Sequence, residues 1–144
     1  MQTRMQVPKF QLPKSISIVI NQLYELEQKI KKHGDPGNLM RNVTKMKDAF
    51  AEEGLPADAS GHLHICLSYE DPMGQPFKET RADLEATISG TGTDNLVVVE
   101  VIKPIIRTEI RVSAGELSEQ NKAQFNQVIQ KGIVIVETQK ENKI

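Results

Sequence analysis

The sequence contains little cysteine and few aromatic residues. Its single cysteine, Cys66, excludes an intramolecular disulfide and is typical of a protein from a reducing compartment. Tryptophan is absent, and aromatic residues make up only 4% of the 144 residues, so the core must be built from aliphatic side chains. The chain is long enough for one compact domain, or for a helical arm with a small β-domain.

The sequence also lacks an excess of charge of either sign and lacks long apolar runs. Lys and Arg number 18 against 19 for Asp and Glu, and this net charge of −1 argues against a nucleic-acid binder with a basic surface. No apolar stretch has the length of a membrane span, and residues 1–11 lack the apolar centre of a signal peptide. We therefore expect a cytoplasmic protein that binds neither nucleic acid nor membrane.

The most apolar stretch lies at residues 96–107. Its β-branched residues predict a buried strand from Leu96 to Ile102. Pro104 has no N–H for a strand ladder, so the strand should end, bulge or become an edge there. Residues 128–137 have the same apolar character, and we expect the two runs to be neighbours in one sheet.

Helical periodicity is confined to the N-terminal part, where two apolar stripes have spacings of three and four residues. Ser15 is the expected cap of the first helix and Gly34 its end. Asp35 with Pro36 should start the second helix, which should end at Gly54. The stripes comprise Ile16, Val19, Leu23, Leu26 and Ile30 in the first helix and Leu39, Val43, Met46 and Phe50 in the second.

These stripes predict an antiparallel helical hairpin that pairs with a second copy. Short helices with one apolar stripe cover only part of each other, and Ile18 and Ile20 widen the apolar arc of the first helix. A dimeric four-helix bundle would bury the remainder, so both stripes form the predicted dimer interface. In the alternative interpretation, the hairpin packs on the β-domain of its own chain.

The rest of the chain predicts a small β-domain. Alternating apolar and polar residues predict strands at 63–69 and 82–88, ahead of the two apolar runs. Helices followed by strands without alternation predict an α+β fold. Residues 1–55 should form a lead-in and the hairpin for dimerisation, and residues 56–144 a compact, mostly antiparallel β-domain for partner binding.

His62, His64 and Cys66 are the candidates for chemistry. On a strand they share one face, about 6.6 Å apart at each step, and their side-chain types suit zinc. The same residues are also explained by simple polar and apolar alternation, and no second Cys or His group completes a coordination shell. We therefore predict no metal, no cofactor and no catalytic residue, with a small metal-dependent enzyme as an alternative.

The order of several segments resembles proteins of the GrpE type. Residues 19–26 and 43–55 are similar to the short helical hairpin of that family. Residues 71–77, Asp-Pro-Met-Gly-Gln-Pro-Phe, resemble the corner at the start of its β-domain. Residues 98–104 resemble its central strand and residues 128–136 its closing strand, so the likeness lies in the order of the segments.

The resemblance extends with gaps over residues 16–137 and implies a homodimeric nucleotide exchange factor for a DnaK-type chaperone. In that family a β-domain binds the ATPase domain and opens its nucleotide cleft, so ADP leaves without any catalytic residue. The long paired helix and the acidic balance of the family are missing here. The alternative is therefore a dimeric module of GrpE-like shape with a different partner and no exchange activity. The partner-binding positions that the resemblance implies are Ile102, Lys103, Pro104, Gln127 and Val136.

Overall fold

The computed structural model describes residues 13–112 and 126–139, so the predicted lead-in lies outside the described residues. Two helices, α1 (Lys14–His33) and α2 (Leu39–Asp48), precede the strands, and a π-helical turn (Ala49–Glu53) continues α2. The strands are β1 (Leu55–Pro56), β2 (Leu63–Glu70), β3 (Leu84–Ile88), β4 (Leu96–Lys103), β5 (Ile105–Val112), β6 (Val128–Gln130) and β7 (Gly132–Thr138). This order confirms the predicted α+β class.

The strands form two sheets. Sheet A has the order β1-β2-β5-β6 with antiparallel pairings, and sheet B has the order β3-β7-β4. In sheet B, β4 and β7 are antiparallel, which confirms the predicted pairing of the two apolar runs, whereas β3 and β7 are parallel. The β part of the protein is therefore mostly antiparallel, as expected.

Pro104 marks one of the points where the chain passes from one sheet to the other. β4 ends at Lys103 in sheet B and β5 begins at Ile105 in sheet A, with a fully buried Pro104 between them. A proline suits this position because it cannot donate to either ladder. The predicted strand end is confirmed, and one apolar stretch supplies a strand to each sheet.

The helix ends follow the predicted signals with small shifts. α1 begins at Lys14, one residue before the cap predicted at Ser15. Gly34 ends α1 with a left-handed φ of 86°, as its position predicted. The Asp35 carboxylate accepts two backbone N–H groups from the first turn of α2. α2 starts after Asn38 instead of at the predicted Pro36, because Asn38 itself has a left-handed φ of 55°.

The π-helical turn ends at Gly54, where the chain crosses β2. The Gly54 N–H donates to the Ala49 carbonyl at 3.0 Å and closes the wide turn, and Gly54 has a φ of 67°. A Cβ atom at this position would collide with the backbone carbonyl of Ile65. Glycine is therefore required both by the backbone angle and by the close approach of two chain segments.

The hairpin packs on sheet A of its own chain, as the alternative interpretation of the sequence predicted. The core on this side of the molecule contains Ile20 from α1 with Ile65, Leu67 and Ile106 from the sheet. Ile16 and Phe50, two members of the predicted stripes, are partly buried against that core. The wide apolar arc of α1 explains this packing, because it can cover a sheet and still leave an apolar strip exposed.

A second core lies on the inner side of sheet B. Its buried residues are Leu84, Leu96, Val98, Ile105, Val134 and Val136. Ile105 belongs to β5 in sheet A, and its side chain packs in this second core immediately after the change of sheets at Pro104. All six side chains are aliphatic, as the scarcity of aromatic residues predicted.

Candidate protein-interaction surfaces

A half-buried polar cluster fixes the hairpin to sheet A. Tyr69 of β2 donates its hydroxyl hydrogen bond to Glu27 of α1, and the Lys47 ammonium of α2 lies 3.2 Å from the same carboxylate. Lys47 also lies 4.7 Å from the centroid of the Tyr69 ring, a cation–π distance. The Tyr24 ring of α1 meets Tyr69 edge-on, with centroids 5.8 Å apart. Both helices and the sheet therefore meet in one bonded cluster.

The pKa values of the carboxyl and hydroxyl groups in this cluster are shifted in the directions that preserve its hydrogen bonds. Burial raises the pKa of Glu27, but hydrogen bonds from Tyr69 and Lys47 and the charge of Lys47 outweigh it, so that the Glu27 pKa is lowered. Burial and the Glu27 carboxylate raise the pKa of Tyr69. Burial and the nearby Asp71 carboxylate raise the pKa of Tyr24. Glu27 therefore remains an ionised carboxylate and both tyrosines remain protonated, which are the charge states that these contacts require.

An amide pair connects α1 to the point where the chain changes sheets. The side chains of Asn21 and Gln130 exchange two hydrogen bonds, of 3.0 Å and 2.9 Å. The Gln130 amide also donates to the Pro104 carbonyl at 2.9 Å. The pair therefore holds α1, β6 and the corner between β4 and β5 in one fixed arrangement.

Charged side chains join sheet A to sheet B. Arg107 of β5 donates to Asp83, which precedes β3, at 2.8 Å, and to Glu70 at the end of β2 at 3.2 Å. Arg81 donates to both carboxylate oxygens of Asp83 at 3.0 Å. The hydrogen bond from Arg81 is the main cause that lowers the pKa of Asp83. Sheet B is therefore held in place by an ion network as well as by its core.

The second half of β4 carries an exposed apolar segment. Ile102 is 52% exposed and Val99 is 39% exposed, and the neighbouring Lys103 is exposed as well. The pairing of β4 with β7 shifts between Val98 and Glu100 and again between Val101 and Lys103, so Val99 and Ile102 both lie at bulges. We call Val99, Ile102 and Lys103 the β4 surface.

The structure separates the five residues that the resemblance assigns to partner binding. Ile102 and Lys103 lie together on the β4 surface. Pro104 and Val136 are fully buried, so in this conformation their side chains do not face a partner. Both residues are therefore removed from the predicted partner-binding set. Gln127 is exposed, but it lies just before β6 at the edge of sheet A, where its backbone bonds to β5. Alternation along a strand predicts two faces and does not tell which face is covered.

The nine residues of the predicted dimer interface divide into three groups. Leu23, Ile30 and Val43 are buried inside the chain, and Ile16 and Phe50 are half-buried against sheet A. Val19, Leu26, Leu39 and Met46 are 43%, 39%, 51% and 41% exposed. Three of these four lie beside Ile18, which is 52% exposed, around one shallow groove between the helices. We call Ile18, Val19, Leu26 and Met46 the hairpin face.

The three residues considered as metal ligands do not form a site. Cys66 is buried with its Sγ 3.8 Å from the Glu52 carbonyl oxygen, and burial raises the pKa of its thiol. The Nε2 atom of His64 lies 3.0 Å from the Gly61 carbonyl oxygen. Within residues 13–112 and 126–139, no group of three or more His, Cys, Asp or Glu side chains is placed to hold a metal ion. The geometry gives no support to the metal-enzyme alternative.

Comparisons with known proteins add no family to this geometry. No family model, no curated protein and no solved structure gives a significant match to the chain. Among the helices that the structure describes, none combines the length and the apolar character needed to cross a membrane. The function must therefore be argued from the surfaces themselves.

Proposed function

We propose that this protein is a GrpE-like co-chaperone that promotes ADP release from a DnaK-type chaperone. In this proposal the β4 surface binds the ATPase domain and stabilises the form in which its nucleotide cleft is open. Because the partner is shifted between two conformations by differential binding, the co-chaperone itself needs no catalytic group or cofactor.

The exposed apolar segment of β4 is the observation that carries this proposal. Ile102 and Val99 provide an apolar centre, and Lys103 beside them provides a charged rim, which is the usual composition of a protein interface. The strand is also held in place, since its own residue Val98 is buried in the core of sheet B. A surface that is fixed by the core loses little conformational entropy on binding and therefore favours a defined contact.

We further propose that the protein is a homodimer, with the hairpin face as the contact between copies. Four exposed apolar side chains lie on one side of the two helices, and exposed Glu25 and Lys29 border them with opposite charges. Two such faces could pack as a four-helix bundle. In this arrangement Leu23 and Val43 pack within each hairpin instead of across the interface, because they are already buried.

The exchange activity is tested by stopped-flow release of a fluorescent ADP analogue from a purified DnaK-type chaperone. We expect the protein to accelerate release, and Ile102→Asp to weaken its binding by about 2 kcal/mol or about 30-fold, the effect of removing a central interface residue. Ile88→Asp is the matched control, since Ile88 is 45% exposed at the other edge of sheet B. Release that stays unchanged at saturating protein would remove the exchange-factor proposal.

A second candidate is a dimeric interaction module with a different protein partner and no exchange activity. The docking of the hairpin on sheet A favours it, because this packing departs from the bundle that the GrpE resemblance implies, in which five residues now covered within the chain would lie between the copies. A photo-crosslinking amino acid in place of Ile102 distinguishes the two candidates. Crosslinking to a chaperone ATPase domain supports the first, and crosslinking to another protein with no chaperone recovered supports the second.

A further inference from the structure

The strand edges of the two sheets differ in how they are protected. The outer strands of sheet A are very short, because β1 has two residues and ends in proline and β6 has three residues. The outer edge of β4 is bonded to a loop, with the Gly74 N–H donating to Val98 and the Phe77 N–H donating to Leu96. Short strands, loop cover and bulges are the usual means of keeping an edge from pairing.

The outer edge of β3 has none of these protections among the described residues. β3 has five residues, contains no proline or lysine, and pairs with β7 without a bulge. Its residues 85–88 are exposed or half-buried. An edge of this kind offers unpaired backbone groups to an incoming strand.

The hydrogen bonds to β7 determine which backbone groups of β3 are available. The Asp83 carbonyl accepts from Gly132, and the Ser89 N–H donates to Val136, so odd-numbered residues direct their backbone groups towards β7. In a parallel pair this direction alternates along the strand. The N–H and C=O groups of Ala86 and Ile88 therefore point to the outer edge.

The side chains of β3 define the chemistry of a strand that would fit there. Ile88 lies opposite Val136 on the core side of the sheet, but it is 45% exposed and has no outer neighbour in the described residues. On the solvent side, Glu85 and Thr87 lie opposite Ile133 and Ile135. Glu100 and Glu137 also face this side, and among the paired strand residues there only Lys103 is basic, so the strands present an acidic solvent face.

We propose that the outer edge of β3 binds an extended segment of a partner protein, which adds a fourth strand to sheet B. Apolar residues of that segment pack over Ile88 on the core side, and alternate basic residues face Glu85 on the solvent side. This site lies at the edge of sheet B opposite the β4 surface. It is therefore independent of the proposed exchange function, and the segment can bind while the β4 surface is occupied.

The test uses an eight-residue peptide of alternating valine and lysine with the full-length protein, followed by residue-resolved amide hydrogen exchange. At saturating peptide, exchange should slow at least tenfold at Ala86 and Ile88. Glu85 and Thr87 should change much less, because their N–H groups are already directed at β7. This alternating pattern is specific to an added strand, since a side-chain contact alone would not follow the backbone direction.

Two control peptides sharpen the result. A valine–glutamate peptide should bind at least tenfold more weakly, because it places carboxylates beside Glu85. A valine–lysine peptide that is N-methylated at every second residue should lose binding when the methylated set faces β3. Equal binding of all three peptides overturns the proposal.

Two variants complete the test. Ala86→Pro removes an outward N–H and should abolish peptide binding, and edge strands tolerate proline when that N–H faces solvent. Ile88→Lys changes only an exposed side chain, and should weaken binding at least tenfold even if the proline variant fails to fold. Protection confined to β4 or the helices contradicts the proposal. Concentration-dependent protection of Ala86 without peptide would assign the edge to a second copy and also overturn it.

Discussion

Sheet A and sheet B are built from the same kinds of residues but are used differently. Sheet A is covered by α1 and the π-helical turn, and its outer strands are too short to pair further. Within the described parts of the chain, sheet B has a core on one side only, an exposed apolar segment on β4 and an unprotected strand edge at β3. The difference favours sheet B as the location of the proposed partner-binding surfaces, with the covered sheet A as their support.

The two sheets are nevertheless joined, both by the chain and by side-chain hydrogen bonds. The chain itself changes sheets at Pro104, whose carbonyl is held by Gln130. Arg107 bonds from sheet A to Asp83 beside β3. A binding surface on sheet B can therefore be supported by the covered sheet, and substitutions on the two sheets should have separable effects on stability and binding.

The largest expected difference between the sheets is in the cost of truncating an isoleucine. Ile106→Ala in sheet A removes a fully buried side chain and should lower the free energy of unfolding by about 2–5 kcal/mol. Ile102→Ala on sheet B removes a side chain that is 52% exposed and should change it by less than about 0.5 kcal/mol. Urea unfolding measures both. Similar values for the two variants would contradict the division of roles.

The polar cluster over sheet A should give an intermediate effect that depends on pH. Glu27→Gln removes the charge that bonds to Tyr69 and Lys47 and should cost about 1–3 kcal/mol at pH 7. Glu25→Gln, on the exposed side of the same helix, is the control and should cost less than about 0.5 kcal/mol.

The sign of the pH dependence follows from the lowered pKa of Glu27. The unfolded chain binds a proton at this residue at a higher pH than the folded protein does. The stabilisation is therefore complete above the unfolded pKa, about 4.3, and is lost as the pH falls through the folded pKa. Unfolding midpoints measured between pH 3 and pH 7, at about half-unit steps, should fall less steeply in Glu27→Gln. An unchanged slope would show that the cluster does not control acid stability.

The smallest effect on stability is expected on the hairpin face. A double variant, Val19→Asp with Met46→Asp, should convert the proposed dimer to monomers that remain folded, because both side chains are exposed in one chain. Leu23→Asp with Val43→Asp should instead unfold the protein, since these residues are buried within it. Light scattering and circular dichroism distinguish the outcomes. A persistent dimer of the first variant would show that the contact between copies lies elsewhere.

Sequence reasoning predicted most elements and few of the surfaces. The β4 and β7 pairing, the strand end at Pro104 and the two helices were all predicted, because each depends on local preferences of the backbone. The exposure of Ile102 had no such signal. Unbroken alternation from the buried Leu96 and Val98 would place Glu100 and Ile102 on the core side, but the bulge between Val98 and Glu100 interrupts the alternation and both are exposed. A bulge is decided by pairing with another strand.

The amino-acid pattern by itself determined an α+β protein with an aliphatic core, a helical hairpin and a pair of apolar strands. These features follow from periodicity, β-branching and the missing N–H of proline, which act within a few residues. Only the tertiary structure decided which side of each element is covered. Ile20 and Val19 are adjacent and both aliphatic, yet one is buried on sheet A and the other is exposed. Burial depends on which distant segment packs there, and no local pattern contains that information.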